Sequence, residues 1–143
     1  MRLVIAADHA GVDLKAELVS WLTDQGHDVE DLGPGGHDSV DYPDYAHRVA
    51  AQVAAGSAER GILVCGTGIG MAISANRHRG VRAVCTTDLY SVGMARAHND
   101  ANVLCLGARV VGGGLAEGLV AAFLDGEFEG GRHQRRVSKI EPG

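Results

Sequence analysis

Apolar positions along the chain follow two alternating rhythms. Short continuous runs, Leu3-Val4-Ile5-Ala6-Ala7, Ile62-Leu63-Val64-Cys65, Val81-Arg82-Ala83-Val84-Cys85 and Val103-Leu104-Cys105-Leu106, read as strands buried on both faces. Between them apolar residues return at helical spacing. Leu14, Leu18, Trp21 and Leu22 form one stripe with Gly26 as its C-cap, and Ala46, Val49, Ala50 and Val53 form another between Asp44 and Gly56. Val29 to Leu32 is a weak second strand, closed by the loop Gly33-Pro34-Gly35-Gly36. Helices over Met71 to Asn76, from about Leu89 to His98 and from about Leu115 to Leu124 complete the alternation. Beyond Asp125 the chain turns polar and basic, and no further core element is expected there.

This order predicts a three-layer α/β/α Rossmann-like domain with a five-stranded parallel sheet, spanning residues 1–143 with a basic tail from about 126. In such sheets ligands bind beyond the carboxyl ends of the strands. The residues to inspect are therefore Asp8-His9, Cys65 with its glycine loop, Thr86-Thr87-Asp88 and Gly107-Ala108-Arg109.

Composition removes several function classes. Thirteen Lys plus Arg against eighteen Asp plus Glu gives a net charge of −5, and aromatics are only 4%. Neither nucleic acid nor an anionic membrane surface suits such a chain. No apolar run approaches the roughly 18 residues of a membrane span. The apolar N-terminus is too short for a secretory signal and is followed by no cleavage pattern. Three cysteines, an odd number without zinc-type spacing, read as reduced thiols and place the protein in the cytoplasm.

The 21 glycines matter by position. In Cys65-Gly66-Thr67-Gly68-Ile69-Gly70, alternating glycines lie between a strand and a helix, where backbone N–H groups can approach an anion or oxyanion closely. A tight strand-to-helix turn that needs small residues is the plainer alternative. The spacing matches neither a dinucleotide fingerprint nor a Walker loop. A phosphatase loop would need an Arg where Met71 stands. Cys65 at that turn is a base or nucleophile, or else a buried core thiol; Cys85 and Cys105, inside apolar strands, are expected in the core. Asp8-His9 is a charged pair at a strand end, with a helix cap as its alternative role. His98-Asn99 reads locally as a helix stop, and Arg132, His133, Arg135 and Arg136 make a local positive site fit for a phosphoryl group or a solvated tail.

Six ordered motifs together carry a resemblance. They are Ala7-Asp8-His9-Ala10-Gly11, Asp41-Tyr42-Pro43, the Cys65–Gly70 loop, His98-Asn99-Asp100-Ala101-Asn102-Val103, Gly107-Ala108-Arg109-Val110-Val111-Gly112 and Gly130-Gly131-Arg132-His133-Gln134. Through them the chain resembles the type B ribose-5-phosphate isomerases of the ribose/galactose-phosphate isomerase family, from strand one to about Ile140. The resemblance implies a metal-free, cofactor-independent interconversion of ribose 5-phosphate and ribulose 5-phosphate. It gives Cys65 the role of base in a cis-enediolate proton transfer, with backbone N–H groups of Gly66, Gly68 and Gly70 holding the oxyanion. It gives His98, aided by Asp8 and Thr67, the opening of the furanose ring. Asn99 and Tyr42 match sugar-hydroxyl contacts, and His9, Arg109, Arg132 and Arg136 match groups around the phosphate. It also implies a homodimer or tetramer in which His98, Asn99 and Arg109 reach a pocket built mainly by the neighbouring subunit. Isomerases of allose 6-phosphate, galactose 6-phosphate and tetrulose phosphates share most of these motifs, so another sugar phosphate is the runner-up. A non-catalytic phospho-ligand or redox-sensing module is the alternative from another class.

Overall fold

The strands of the computed structural model, which describes residues 1–143, alternate their side chains between two apolar layers. Leu3, Ile5 and Ala7 of β1 (Arg2–Ala7) face one cluster, while Val4 and Ala6 face the other. The same split divides Ile62 and Val64 from Leu63 and Cys65 in β3 (Arg60–Cys65), and Leu104 and Leu106 from Val103 and Cys105 in β5 (Val103–Gly107). Helices α1 (Val12–Asp24), α4 (Leu89–Asn99) and α5 (Gly113–Asp125) cover the first face, with Leu18, Leu22, Leu119 and Phe123 fully buried. Helices α2 (Tyr42–Ala54) and α3 (Ile69–Ala75) cover the second with Ala46, Val49, Ala50 and Met71.

With β2 (Asp28–Asp31) and β4 (Ala83–Cys85), the strands form one parallel sheet in the order β2-β1-β3-β5-β4. The register sets Ile5 opposite Ile62, and Cys65 opposite Gly107. The chain leaves β1 for one edge and returns at β3 to build toward the other. The crevice at the carboxyl ends of β1 and β3 is thus the topological switch point, where doubly wound sheets bind ligands.

One expectation needs correction and one an addition. The tail contributes no residue to either apolar cluster, but a short helix, α6 (Arg132–Val137), forms there and withdraws His133 to 4% exposure. Six mostly charged residues carry no apolar stripe, so periodicity could not announce this helix. Cys105 is fully buried as expected, but Cys85 is exposed, because β4 is a short edge strand and Cys85 is its last residue.

Candidate active site

Backbone bonds continue past the strand ends and tie three loops into one rim. Asp8 N–H donates to Val64 O (3.0 Å), Ala108 N–H to Cys65 O (2.8 Å) and Arg109 N–H to Gly66 O (3.1 Å). Asp8 accepts from Ala10 N (2.9 Å) and Gly11 N (3.3 Å), so the capping role is real. Both bonds fall on Oδ1, which leaves Oδ2 for other work. His9 Nδ1 accepts from Val40 N (3.2 Å), which assigns the proton of the neutral ring to Nε2, a donor at the rim.

Cys65 is buried at the end of β3, and its sulfur accepts the Gly68 N–H at 3.1 Å. A backbone donor therefore points at the sulfur from the turn itself. Neither other cysteine has this. Burial and the nearby Cys65 push the Cys85 thiol up, and Cys85 Sγ–H donates to Thr67 O (3.4 Å). Complete burial pushes Cys105 well above the usual thiol range. Of the three sulfurs, Cys65 Sγ alone accepts a backbone N–H of the glycine turn.

Gly68 has φ +83°, and a Cβ there would lie 2.8 Å from Cys85 Sγ and 2.9 Å from the Leu106 carbonyl carbon. Gly68→Ala is expected to lose about 2–4 kcal/mol, from left-handed backbone strain and overpacking together. Urea unfolding of the variant against the parent measures this. At Gly70 the Tyr42 ring occupies the place a Cβ would take, which sets Tyr42 against the same loop. The Arg109 guanidinium lies over Gly66, with Nη1 3.2 Å from where a Cβ would stand. The N–H groups of Gly66 and Gly70 have no partner in the chain. Thr67 is exposed at the crest of the turn, where its hydroxyl accepts from Ile69 N (3.3 Å).

The remaining residues gather elsewhere. Helix α4 runs back across the sheet, so His98 and Asn99 at its end lie where β4 and β5 begin. Asn102, three residues on, accepts Gly61 N–H and donates to Arg82 O. Buried Arg96 locks that corner through Asp100 Oδ1 (2.8 Å), Ala101 O (2.6 Å) and Gly126 O (3.2 Å), and Glu129 N–H donates to Ala97 O (3.0 Å). These bonds fold the tail onto α4. There the His133 ring stacks on His98, with Arg132 and Arg136 exposed on the same short helix. A cavity of about 770 Å³ opens beside Asn99, between Arg77, Arg79 and Arg82. Neither it nor a second cavity of about 320 Å³ near Asp13 and Glu17 includes Cys65.

One set of groups has the makings of a metal site. Ligand atoms of His98, Glu129 and His133 lie within 4.8 Å of one another. Yet the two imidazoles are 10° from parallel at 4.2 Å, so their in-plane lone pairs run side by side and do not converge. With Arg132 and Arg136 on the same helix, the arrangement fits a stacked pair better than a cation.

The residues singled out from the sequence thus fall at two opposite rims: Asp8, His9, Tyr42, Cys65, Gly66, Thr67, Gly68, Gly70 and Arg109 at one, and His98, Asn99, Arg132 and Arg136 at the other. β5 alone spans about 13 Å between the two rims at roughly 3.3 Å per residue. The Arg109 side chain lies over Gly66 of the same chain. The sequence reading placed His133 in a basic cluster but not against His98, and it did not single out Glu129.

Comparison with known proteins gives the family. Residues 3–140 match the model of the Ribose/Galactose Isomerase family. The chain is 47% identical over 139 residues to ribose-5-phosphate isomerase B of Escherichia coli, covering 97% of this chain and 93% of that one. It is 44% identical to D-erythrulose-4-phosphate isomerase of Pectobacterium atrosepticum, covering 98% and 93%. Ribose-5-phosphate isomerase B of Mycoplasma genitalium, solved with bound ribulose 5-phosphate, superposes with a TM-score of 0.93 at 43% identity, covering 96% and 92%. On sequence, fold and the placement of its motifs, the chain belongs to the ribose/galactose isomerase family.

Proposed function

We propose that this protein interconverts ribose 5-phosphate and ribulose 5-phosphate, with Cys65 as the base. The observation that carries this reading is the Cys65 sulfur, held by the Gly68 N–H at the switch-point crevice among Asp8, His9 and Arg109. His98, with Asp8 and Thr67, moves a proton between the anomeric hydroxyl and the ring oxygen, since only the open chain has a carbonyl beside C2. The Cys65 thiolate takes the C2 proton, and charge passes to the carbonyl oxygen of a cis-enediolate. The unpaired N–H groups of Gly66 and Gly70, with Gly68, stabilise that oxygen; the proton is returned to C1 while the hydroxyl proton of O2 passes to O1, leaving the C2 ketone. Tyr42 and Asn99 hold sugar hydroxyls. His9, Arg109, Arg132 and Arg136 surround the phosphate.

The separation of the two rims supports a homo-oligomer whose sites combine Cys65 of one copy with His98, Asn99, Arg132 and Arg136 of another. Exposed apolar residues on the Cys65 side, Tyr42, Ile69, Ile73, Leu89, Tyr90 and Leu115, supply a surface for a second copy to cover. No helix is long and apolar enough to cross a membrane, and three free thiols suit the reducing cytoplasm.

Direct measurement of ribulose 5-phosphate formed from ribose 5-phosphate tests the reading, with erythrulose 4-phosphate, allose 6-phosphate and galactose 6-phosphate run alongside. The tetrulose phosphate is the competitor that the Pectobacterium relative brings in. Faster turnover of another sugar moves the substrate and keeps the chemistry; binding without turnover of any sugar overturns both. Arg132→Ala is expected to raise KM on the order of 10–100-fold with a smaller change in kcat, the loss of one charge-assisted bond of about 1.5–3 kcal/mol. Steady-state kinetics at fixed ionic strength checks it.

A further inference from the structure

His133 has a role beyond filling space. It is the only buried residue of α6, and its imidazole lies flat on that of His98, with centroids 4.2 Å apart. Its Nε2 is buried without a hydrogen bond; the nearest acid, Glu129 Oε1, is 3.5 Å away and poorly aligned. A buried ring nitrogen without a partner is costly, and an apolar side chain would fill the same space without that cost. What a small hydrocarbon chain would not supply is a flat face. The chain gives the ring nitrogens of His98 no hydrogen bond of their own, so this face is what fixes the ring's orientation. Burial, then His98 and Arg132, hold His133 below the usual imidazole range, so it adds no charge beside a ring that must gain and lose a proton. Arg132 and Arg136 lie one residue before and three after His133, on the same short helix.

We propose that His133 is the positioning residue for ring opening. It orients the His98 imidazole and ties it to Arg132 and Arg136, so that the group opening the ring and the groups holding the phosphate move as one unit. This rests on the ring-opening role read for His98 above.

The test compares His133→Leu and His133→Phe in the intact oligomer; both fill the buried space, and only Phe keeps a flat face. Two quantities are read: kcat for ribose 5-phosphate, and the Kd of a phosphorylated four-carbon aldonohydroxamate. The latter is an acyclic mimic of the enediolate that binds without ring opening. The expected result for His133→Leu is a kcat at least tenfold lower with hydroxamate affinity within about twofold, and for His133→Phe a kcat within about threefold of the parent. Parallel loss of turnover and hydroxamate binding would reduce His133 to a scaffold for the arginines and overturn the proposal. So would unchanged turnover in the Leu variant. His98→Asn separates this from the underlying reading: if it spares ribose 5-phosphate turnover, the role of His98 fails and that of His133 with it. If His98→Asn is selectively slow while His133→Leu is normal, only the present inference fails.

Discussion

Cys65→Ala is expected to fold and associate like the parent protein while turning over ribose 5-phosphate about 10²–10⁴-fold more slowly, the range for loss of a general base. The side chain is small and its removal leaves the β3 ladder to β1 and β5 in place, so the loss belongs to chemistry and not to structure. Cys65→Ser is expected to be nearly as slow, because a hydroxyl in the same place accepts the Gly68 N–H but is a far weaker base at neutral pH. Circular dichroism and binding of an acyclic hydroxamate establish that the variants are intact. Near-parental turnover in a folded Cys65→Ala protein would remove the thiol from the mechanism, and the remaining carboxylate at that rim, Asp8, would become the base to test.

Mixing two inactive proteins is expected to restore activity. Cys65→Ala and His98→Asn variants, each well below a hundredth of parental activity by the same general acid–base range, should together recover about a quarter after subunit exchange. Random pairing puts half of the chains in mixed dimers. Each mixed dimer then has one site with both substitutions and one site with neither. The arithmetic requires that Cys65 and His98 of a working site come from different copies, the arrangement proposed above from their positions at opposite ends of β5. A site built within one chain leaves the mixture as inactive as its parts. The rim that carries Cys65 is bordered by exposed apolar groups, a surface suited to cover by a neighbour.

The Cys65 half of the site was legible in the sequence for a definite reason. Residues 8, 65 and 109 are each within three positions of the end of an apolar run, and parallel strands bring all their carboxyl ends to one edge. Local geometry at Asp8 and Gly68 then followed from short-range bonds: a carboxylate capping the residues two and three ahead of it, and an amide reaching a sulfur three residues back. At the other rim the basic cluster around Arg132 and Arg136 was legible as charge, but His98 and Asn99 were given a role only through the resemblance, because nothing local to them distinguishes a working imidazole from a helix stop. Cys85 was misplaced since an apolar run does not reveal whether its strand is central or at the edge.

Alternation of apolar runs and stripes was enough by itself to determine the layers, the parallel sheet and the rim where a thiol meets a glycine turn. Those features depend on periodicity and on neighbours in sequence. The tertiary structure alone decided that the end of α4 meets the tail, that His133 is buried against His98, and that the two halves of the site face away from each other. The contacts responsible join residues some 30 or more positions apart through one ring stack and a few carbonyls, Arg96 to Gly126 O and Glu129 to Ala97 O among them. Such contacts have no period to leave in the sequence. They arise because a helix that starts at the carboxyl edge of a sheet must end at the other, and the tail closes over that end.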